Sequence, residues 1–123
     1  MISLIKGISQ ETKIFCYSEG VDMRKGIHSL YHIIKMRSDI SATNGDCFVF
    51  IGSTRKSLKI LWWQKDGFAM YYKKLEIGSY VIPQQPQDSP FFELKSSDLD
   101  QVMNNVRYKS VGNELRLKAV LNI

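Results

Sequence analysis

The sequence feature that most restricts the fold is the dipeptide Asp66-Gly67, which lies between two runs rich in β-branched and aromatic residues. These runs cover residues 58–64 and 68–75. Asp and Gly readily adopt the positive φ angles of a two-residue turn, so two such runs joined by Asp-Gly are typical of a β-hairpin. We therefore predict an antiparallel hairpin at the centre of a sheet, with Asp66 and Gly67 as its central turn residues.

The turn position also predicts which side chains meet across the hairpin. Counting outward from Asp66-Gly67 pairs Lys59 with Lys74. Because side chains alternate along a strand, Tyr72 should share a face with these two lysines, whereas Lys73 should point to the other face. Like charges directly opposed on a sheet are unfavourable, so either the two lysines splay into water or an anion lies between them.

The first half of the chain predicts two strands with a helix between them. Apolar runs at residues 13–18 and 47–51 indicate strands, and the second is apolar on both faces, as expected of a central strand. Between them, apolar residues recur at helical spacing from Met23 to Met36, and Asp22 is the predicted N-cap. One apolar stripe of this helix should pack on the sheet.

The second half predicts smaller elements around a loop. All three prolines fall within residues 83–90, a Gln-rich stretch predicted to be an extended surface loop. A short second helix is predicted near Leu99 to Val106, and residues 106–120 suggest a terminal hairpin or edge strand. Taken together, the patterns predict a single α+β domain over residues 1–123 with a mainly antiparallel sheet.

The net charge is concentrated in the hairpin region. The chain has 17 Lys plus Arg and 12 Asp plus Glu, a formal charge of +5. Six of these bases and one acid fall within residues 52–75, which therefore account for the whole net charge. Such a cluster favours an anionic partner such as nucleic acid. The alternative is that the lysines form the solvated face of a sheet while the tryptophans fill the core.

The cluster provides candidate nucleic-acid contacts. The predicted phosphate-binding residues are Arg55, Lys56, Lys59, Lys73 and Lys74. Trp63 and Tyr72 are the candidate aromatic contacts, because either ring can lie against a sugar or an unstacked base. Arg24 is a further candidate outside the cluster. It either contacts DNA or forms an ion pair with an acid such as Glu19 or Asp22.

Metal and thiol chemistry have weak support in the sequence. Cys16 and Cys47 each lie inside an apolar run, which indicates two buried thiols. His28 and His32 are one helical turn apart and could hold zinc, but Ser29 stands where a metalloprotease motif has glutamate. We expect no metal site and no cofactor.

Other enzyme classes are also disfavoured. A transposase-type nuclease needs several carboxylates converging on divalent cations, whereas the acids here are placed to cap helices and form turns. Residues 52–57 lack the second glycine of a phosphate-binding P-loop and lead into a strand. No catalytic residue is therefore predicted. No apolar run is long enough for a membrane span or a signal peptide, so we expect a cytoplasmic location.

An ordered set of short motifs over residues 21–83 resembles one known family, the accessory protein of insertion-sequence family sixty-six transposons, also called TnpB or the second-open-reading-frame protein. The motifs are Asp22-Met23-Arg24-Lys25-Gly26, Phe48-Val49-Phe50, Lys59-Ile60-Leu61-Trp62-Trp63, Asp66-Gly67, Tyr72-Lys73-Lys74-Leu75-Glu76-Ile77-Gly78 and Pro83. Two positions depart from the family pattern. This chain has Gly52-Ser53-Thr54 where relatives carry Asn and several Arg, and Ile82 where they carry an aromatic residue.

The resemblance implies a protein encoded beside a separate transposase and required for transposition. Combined with the basic hairpin, it predicts a non-catalytic accessory protein that binds DNA at transposon ends or bridges that DNA and the transposase. The alternative is an interaction subunit that docks on the transposase without DNA contact, with Trp63, Phe68 and Tyr72 as its anchor. An RNA-binding module ranks third, because an aromatic sheet face can stack bases.

Overall fold

The computed structural model of the chain describes residues 12–84 and 88–104, and these form a five-stranded sheet with two helices. In chain order the elements are β1 (Ile14–Tyr17), α1 (Ile27–Arg37), β2 (Cys47–Ile51), β3 (Ser57–Gln64), β4 (Gly67–Lys74), β5 (Phe91–Leu94) and α2 (Ser96–Asn104). The strand order is β4-β3-β2-β1-β5. All neighbours are antiparallel except β1 and β2. The predicted α+β class with a mainly antiparallel sheet is confirmed.

The parallel pair β1 and β2 explains where α1 lies. Parallel neighbours must be joined by a crossover, and α1 is that crossover, packed on one face of the sheet. Its last turn is attached to β1, because Arg37 donates to the Tyr17 hydroxyl at 2.9 Å and pairs with Glu19 at 2.8 Å. All five residues of β2 are buried, as predicted for a central strand.

Alternating side chains of the strands build a separate apolar layer on each face. The face under α1 contains Tyr17, Phe48, Phe50, Leu61 and Phe91, together with Leu30 and Ile34 of the helix. The opposite face contains Cys16, Val49, Ile51, Ile60 and Trp62, covered by Tyr80 and by Leu99 and Val102 of α2. Burial on both faces is what the apolar runs of β2 and β3 require.

The first helix begins later than the sequence predicted. It starts at Ile27 with Gly26 at the N-cap, so Met23 is not helical and Asp22 is not the cap. Residues 22–25 instead form a turn, in which the Lys25 N–H donates to the Asp22 carbonyl at 3.0 Å. The Asp22 carboxylate is committed to the Arg24 N–H and side chain, which removes it from the helix start.

The second helix also differs at its start. It begins at Ser96, three residues before the predicted Leu99, and Asp98 accepts the Lys95 N–H at 2.8 Å. Its predicted end at Val106 and the predicted terminal hairpin lie outside the described residues. Residues 81–84 and 88–90 form no helix or strand, and the predicted proline loop at residues 83–90 lies partly outside the described residues.

The central hairpin is present, but its turn is displaced by one residue. The two turn residues are Lys65 and Asp66, and Gln64 pairs with Gly67, so the prediction of Asp66 and Gly67 as central residues is wrong. Lys65 adopts a positive φ of 59° to make this turn.

The displaced turn changes which side chains meet across the hairpin. Lys59 pairs with Tyr72, and Lys74 pairs with Ser57, so the predicted Lys59–Lys74 pair is wrong. The faces are unchanged, because a partner shift of two residues preserves the alternation of side chains. The observed register brings Trp63 against Phe68, edge to face, with ring centroids 5.1 Å apart.

Candidate nucleic-acid interface

The predicted cations gather at one end of the sheet, which we call the basic end. Three connections meet there, at residues 18–26, 52–56 and 75–80, because β1, β2 and β4 end and β3 begins on this side. Backbone hydrogen bonds join the three connections: Ser53 N–H donates to the Val21 carbonyl, and Tyr80 N–H to the Arg55 carbonyl. The basic end carries Arg24, Arg55, Lys56, Lys59, Lys73 and Lys74.

Lys59 lies inside the basic end and not on its surface. Its side chain is 5% exposed, and its Nζ donates to the carbonyls of Met23 at 2.9 Å and Lys25 at 2.8 Å. The same ammonium lies 5.0 Å from the ring centroid of Tyr72, within the range of a cation–π contact. Lys59 therefore ties the connection before α1 to the edge strand β4.

Arg55 and Lys56 are half-buried and bind neighbouring carbonyls. The Arg55 backbone has a φ of 64°, and its guanidinium donates to the Gly52 carbonyl at 3.2 Å. The Lys56 Nζ donates to the Gly78 carbonyl at 2.6 Å. Both side chains thus hold loops together, and each keeps further N–H donors for an external acceptor.

Arg24 is exposed and paired. Its guanidinium forms three hydrogen bonds to the Asp22 carboxylate, two from Nε at 3.0 Å and one from Nη2 at 2.6 Å, and its side chain is 91% exposed. These hydrogen bonds hold the pKa of the Asp22 carboxyl well below its usual range. Of the two sequence-based interpretations, the ion pair with Asp22 is the one present in the free chain. The neighbouring Lys25 is also exposed, and sequence reasoning did not include it as a site residue.

An exposed aromatic ring stands among these cations. Tyr72 is 50% exposed, and Lys74 lies two residues further along the same face of β4. Lys73 is also exposed but points to the opposite face, as predicted. We call the surface formed by Arg24, Lys25, Tyr72 and Lys74 the Tyr72 patch; the Lys59 ammonium lies beneath its ring.

Trp63 does not belong to the Tyr72 patch. It lies near the other end of β3 and is half-buried against Phe68. Both rings line an open groove of ≈ 620 Å³ between α1 and the hairpin, whose other lining residues are Ile27, His28, Tyr31, Thr43 and Gly67. The two aromatic contacts predicted from the sequence therefore belong to different surfaces.

The described residues offer little for metal or thiol chemistry. His28 and His32 are exposed on α1, and within residues 12–84 and 88–104 no three His, Cys, Asp or Glu side chains lie close enough to hold a metal ion. Cys16 and Cys47 are buried, and burial raises the pKa of each thiol to about 12, so neither provides a thiolate near neutral pH. Neither described helix is long and apolar enough to cross a membrane.

Comparison with known proteins identifies a family. The family model for the IS66 Orf2-like protein, TnpB, matches residues 12–113. Two relatives from Sinorhizobium fredii (strain NBRC 101917 / NGR234), the uncharacterized proteins y4hO and y4jC, are 28% identical over 74 residues and 27% identical over 77 residues. The matches cover 60% and 63% of this chain and 64% and 66% of those relatives. The chain thus spans slightly less than two thirds of their length. No solved structure matches it.

Proposed function

Since this chain belongs to the IS66 Orf2-like family, TnpB, we propose that it is a non-catalytic accessory protein of DNA transposition and that it contacts DNA through the basic end of its sheet. Family membership supports the transposition setting. The observation that carries the DNA contact is the grouping of exposed cations around a half-exposed tyrosine ring in the Tyr72 patch.

The patch has the chemistry that a DNA backbone requires. Lys and Arg side chains bind DNA phosphates and release the counterions that are condensed on the DNA. The contact is strongest where few carboxylates compete with the phosphates for these side chains. Of the two acids on the connection before α1, Asp22 is paired with Arg24 and Glu19 with Arg37. Lys25 and Lys74 are therefore the foremost proposed phosphate contacts. Lys73, Arg55 and Lys56 extend the surface around the basic end.

The buried Lys59 has a different role from the phosphate contact that the sequence predicted. Its ammonium is held by two carbonyls, so it is not proposed to reach a phosphate. It instead fixes the connection that carries Arg24 and Lys25 against β4. Its charge adds to the positive potential under the patch, because a charge screened little by water acts over a longer distance.

The test measures DNA binding by the full chain over a series of salt concentrations. The readout is the fluorescence anisotropy of labelled transposon-end and unrelated duplexes. Affinity should fall steeply with salt, and Lys25→Gln or Lys74→Gln should each lower the slope of log affinity against log salt by about one. Lys95→Gln is the matched control, because Lys95 is exposed at the opposite end of the sheet. Absent or salt-independent binding contradicts the proposal, as does an equal loss in Lys95→Gln.

A second candidate function is docking on the transposase, and the groove at Trp63 and Phe68 favours it. Aromatic side chains lining an open groove are typical anchors for an apolar segment of a partner. Binding of DNA at the basic end and of transposase at the groove would together bridge the two. Capture of the purified transposase that survives high salt and is lost in Trp63→Ala supports docking, provided that the variant unfolds at the wild-type temperature. Capture unaffected by this substitution excludes the groove.

A further inference from the structure

Tyr72 is held at the surface in an unusual way for an aromatic residue on a strand. It belongs to β4, which has one hydrogen-bonded neighbour among the described strands, and half of its surface is exposed. Phe68 and Met70, on the same face of this strand, pack toward the core under α1, whereas Tyr72 rests on the ammonium of Lys59 at 5.0 Å. The ring is thus positioned by a charge and not by an apolar layer.

The charge under the ring is itself unusual. The Lys59 ammonium is buried and held by two backbone carbonyls, and among the described residues no carboxylate forms an ion pair with it. A buried ammonium without a counter-ion maintains a positive potential around it. An approaching anion is attracted by this potential and lowers the electrostatic energy of the buried charge. Two exposed lysines add further positive charges: Lys25, whose carbonyl binds this ammonium, and Lys74, which follows Tyr72 on the same face of β4.

This arrangement fits single-stranded DNA better than an intact duplex. An exposed ring bordered by cations is how proteins hold a single strand, with bases stacked on the aromatic face and phosphates held by the cations. In a duplex the flat faces of the bases are stacked on each other, so a ring on a sheet surface reaches only sugars and edges. Duplex DNA would use the lysines but leave the ring without a partner.

We infer that Tyr72 is a stacking platform for an unpaired base, so that the Tyr72 patch takes DNA with unstacked bases in preference to intact duplex. The inference rests on the proposed DNA contact and specifies its substrate. The site has three parts: the Tyr72 ring stacks on the base, Lys25 and Lys74 bind the phosphates beside it, and Lys59 positions the ring from below.

The experiment compares three ligands of one sequence with the full chain at one near-physiological salt concentration: a single strand, a blunt duplex, and a single strand whose central bases are replaced by abasic spacers. Tyr72→Leu should weaken binding of the intact single strand at least about fivefold, the lower end of the loss when one base–aromatic stack is removed. It should change duplex binding less than twofold. Tyr72→Phe retains the ring and should bind the single strand as the wild type does.

The abasic strand makes the test independent of any effect of the substitution on folding. The wild type should bind the abasic strand as weakly as Tyr72→Leu binds the intact strand, and Tyr72→Leu should not distinguish the two strands. If the wild type binds all three ligands and Tyr72→Leu weakens them equally or not at all, stacking is refuted while DNA binding stands. If none of the three ligands binds, the proposed function fails and this inference fails with it.

Discussion

Replacing Lys59 by methionine tests whether the buried ammonium holds the basic end together. Methionine keeps an unbranched apolar stem of similar length but donates no hydrogen bond, so the carbonyls of Met23 and Lys25 lose their donors. Hydrogen bonds to a charged group contribute about 1.5–3 kcal/mol each, and a cation–π contact about 0.5–2 kcal/mol. Removing a buried charge offsets part of this loss, and the freed carbonyls regain water because Met23 is half-buried and Lys25 exposed. We expect Lys59→Met to lower the free energy of unfolding by about 2–3 kcal/mol.

The measurement is urea unfolding of the full chain, monitored by the fluorescence of Trp62 and Trp63. The urea midpoint should fall while the denaturant slope stays unchanged, since the substitution does not alter the surface exposed on unfolding. Lys74→Met is the matched control, because it makes the same chemical change at an exposed position on the neighbouring strand and should shift stability by less than about 0.5 kcal/mol. If Lys59→Met and Lys74→Met unfold at the same urea concentration, the contacts of the buried ammonium contribute no net stability and our account of the basic end is refuted.

Three further predictions concern the turns around the sheet. Lys65→Gly should raise the free energy of unfolding by about 0.5–1 kcal/mol in the same urea assay. The reason is that Lys65 has a φ of 59°, which glycine adopts without strain. A lowered urea midpoint would contradict the observed turn. Gly20→Ala should lower the free energy of unfolding by about 1–3 kcal/mol, because its Cβ would lie 2.8 Å from the backbone of the next loop. Gly26→Ala has nothing within 4 Å of its Cβ and should cost less, at most about 1 kcal/mol for alanine at an N-cap, and equal losses would exclude this packing argument. Hydrogen bonds from Arg24 lower the folded-state pKa of Asp22. The stability that these hydrogen bonds provide is therefore fully present above the ordinary aspartate pKa of about 4, and it is lost as pH falls through the lowered pKa. An NMR titration of the Asp22 carboxyl should therefore show a midpoint well below 4 that returns toward 4 in Arg24→Ala, and the same midpoint in both proteins would rule out the pairing.

Local sequence patterns predicted the elements whose own residues determine whether they are buried, with no need to know their distant partners. The run at residues 47–51 is apolar at every position, as expected of a strand buried on both faces, and β2 is that strand. Residues 58–64 and 68–75 showed the hairpin because β-branched and aromatic residues flank a turn dipeptide. The grouping of the predicted cations also followed from local pattern, since Arg55, Lys56, Lys73 and Lys74 flank the same hairpin end.

Properties that depend on distant partners were beyond such reasoning. Lys59 was expected on the surface, but its ammonium binds carbonyls more than thirty residues earlier in the chain, and no local pattern indicates them. The turn residues were misplaced because Asp-Gly is favourable in isolation, whereas the pairing of Trp63 with Phe68 accompanies the other register. The strand β5 was missed, because four residues after a proline loop form too short a pattern and their pairing with β1 is not local.

The pairing of β1 with β5 has a consequence for the chain as it is synthesised. Ile14 pairs with Leu94, so the ribosome must produce most of the sheet before β1 finds its second neighbour. Until then β1 presents an open edge beside the partly buried Phe15, and an unpaired strand edge invites pairing with other nascent chains. The hairpin of β3 and β4, whose strands are adjacent in sequence, closes quickly. Translation that pauses before β5 should therefore favour aggregation, and overexpression should yield more soluble protein when elongation through residues 75–94 is fast.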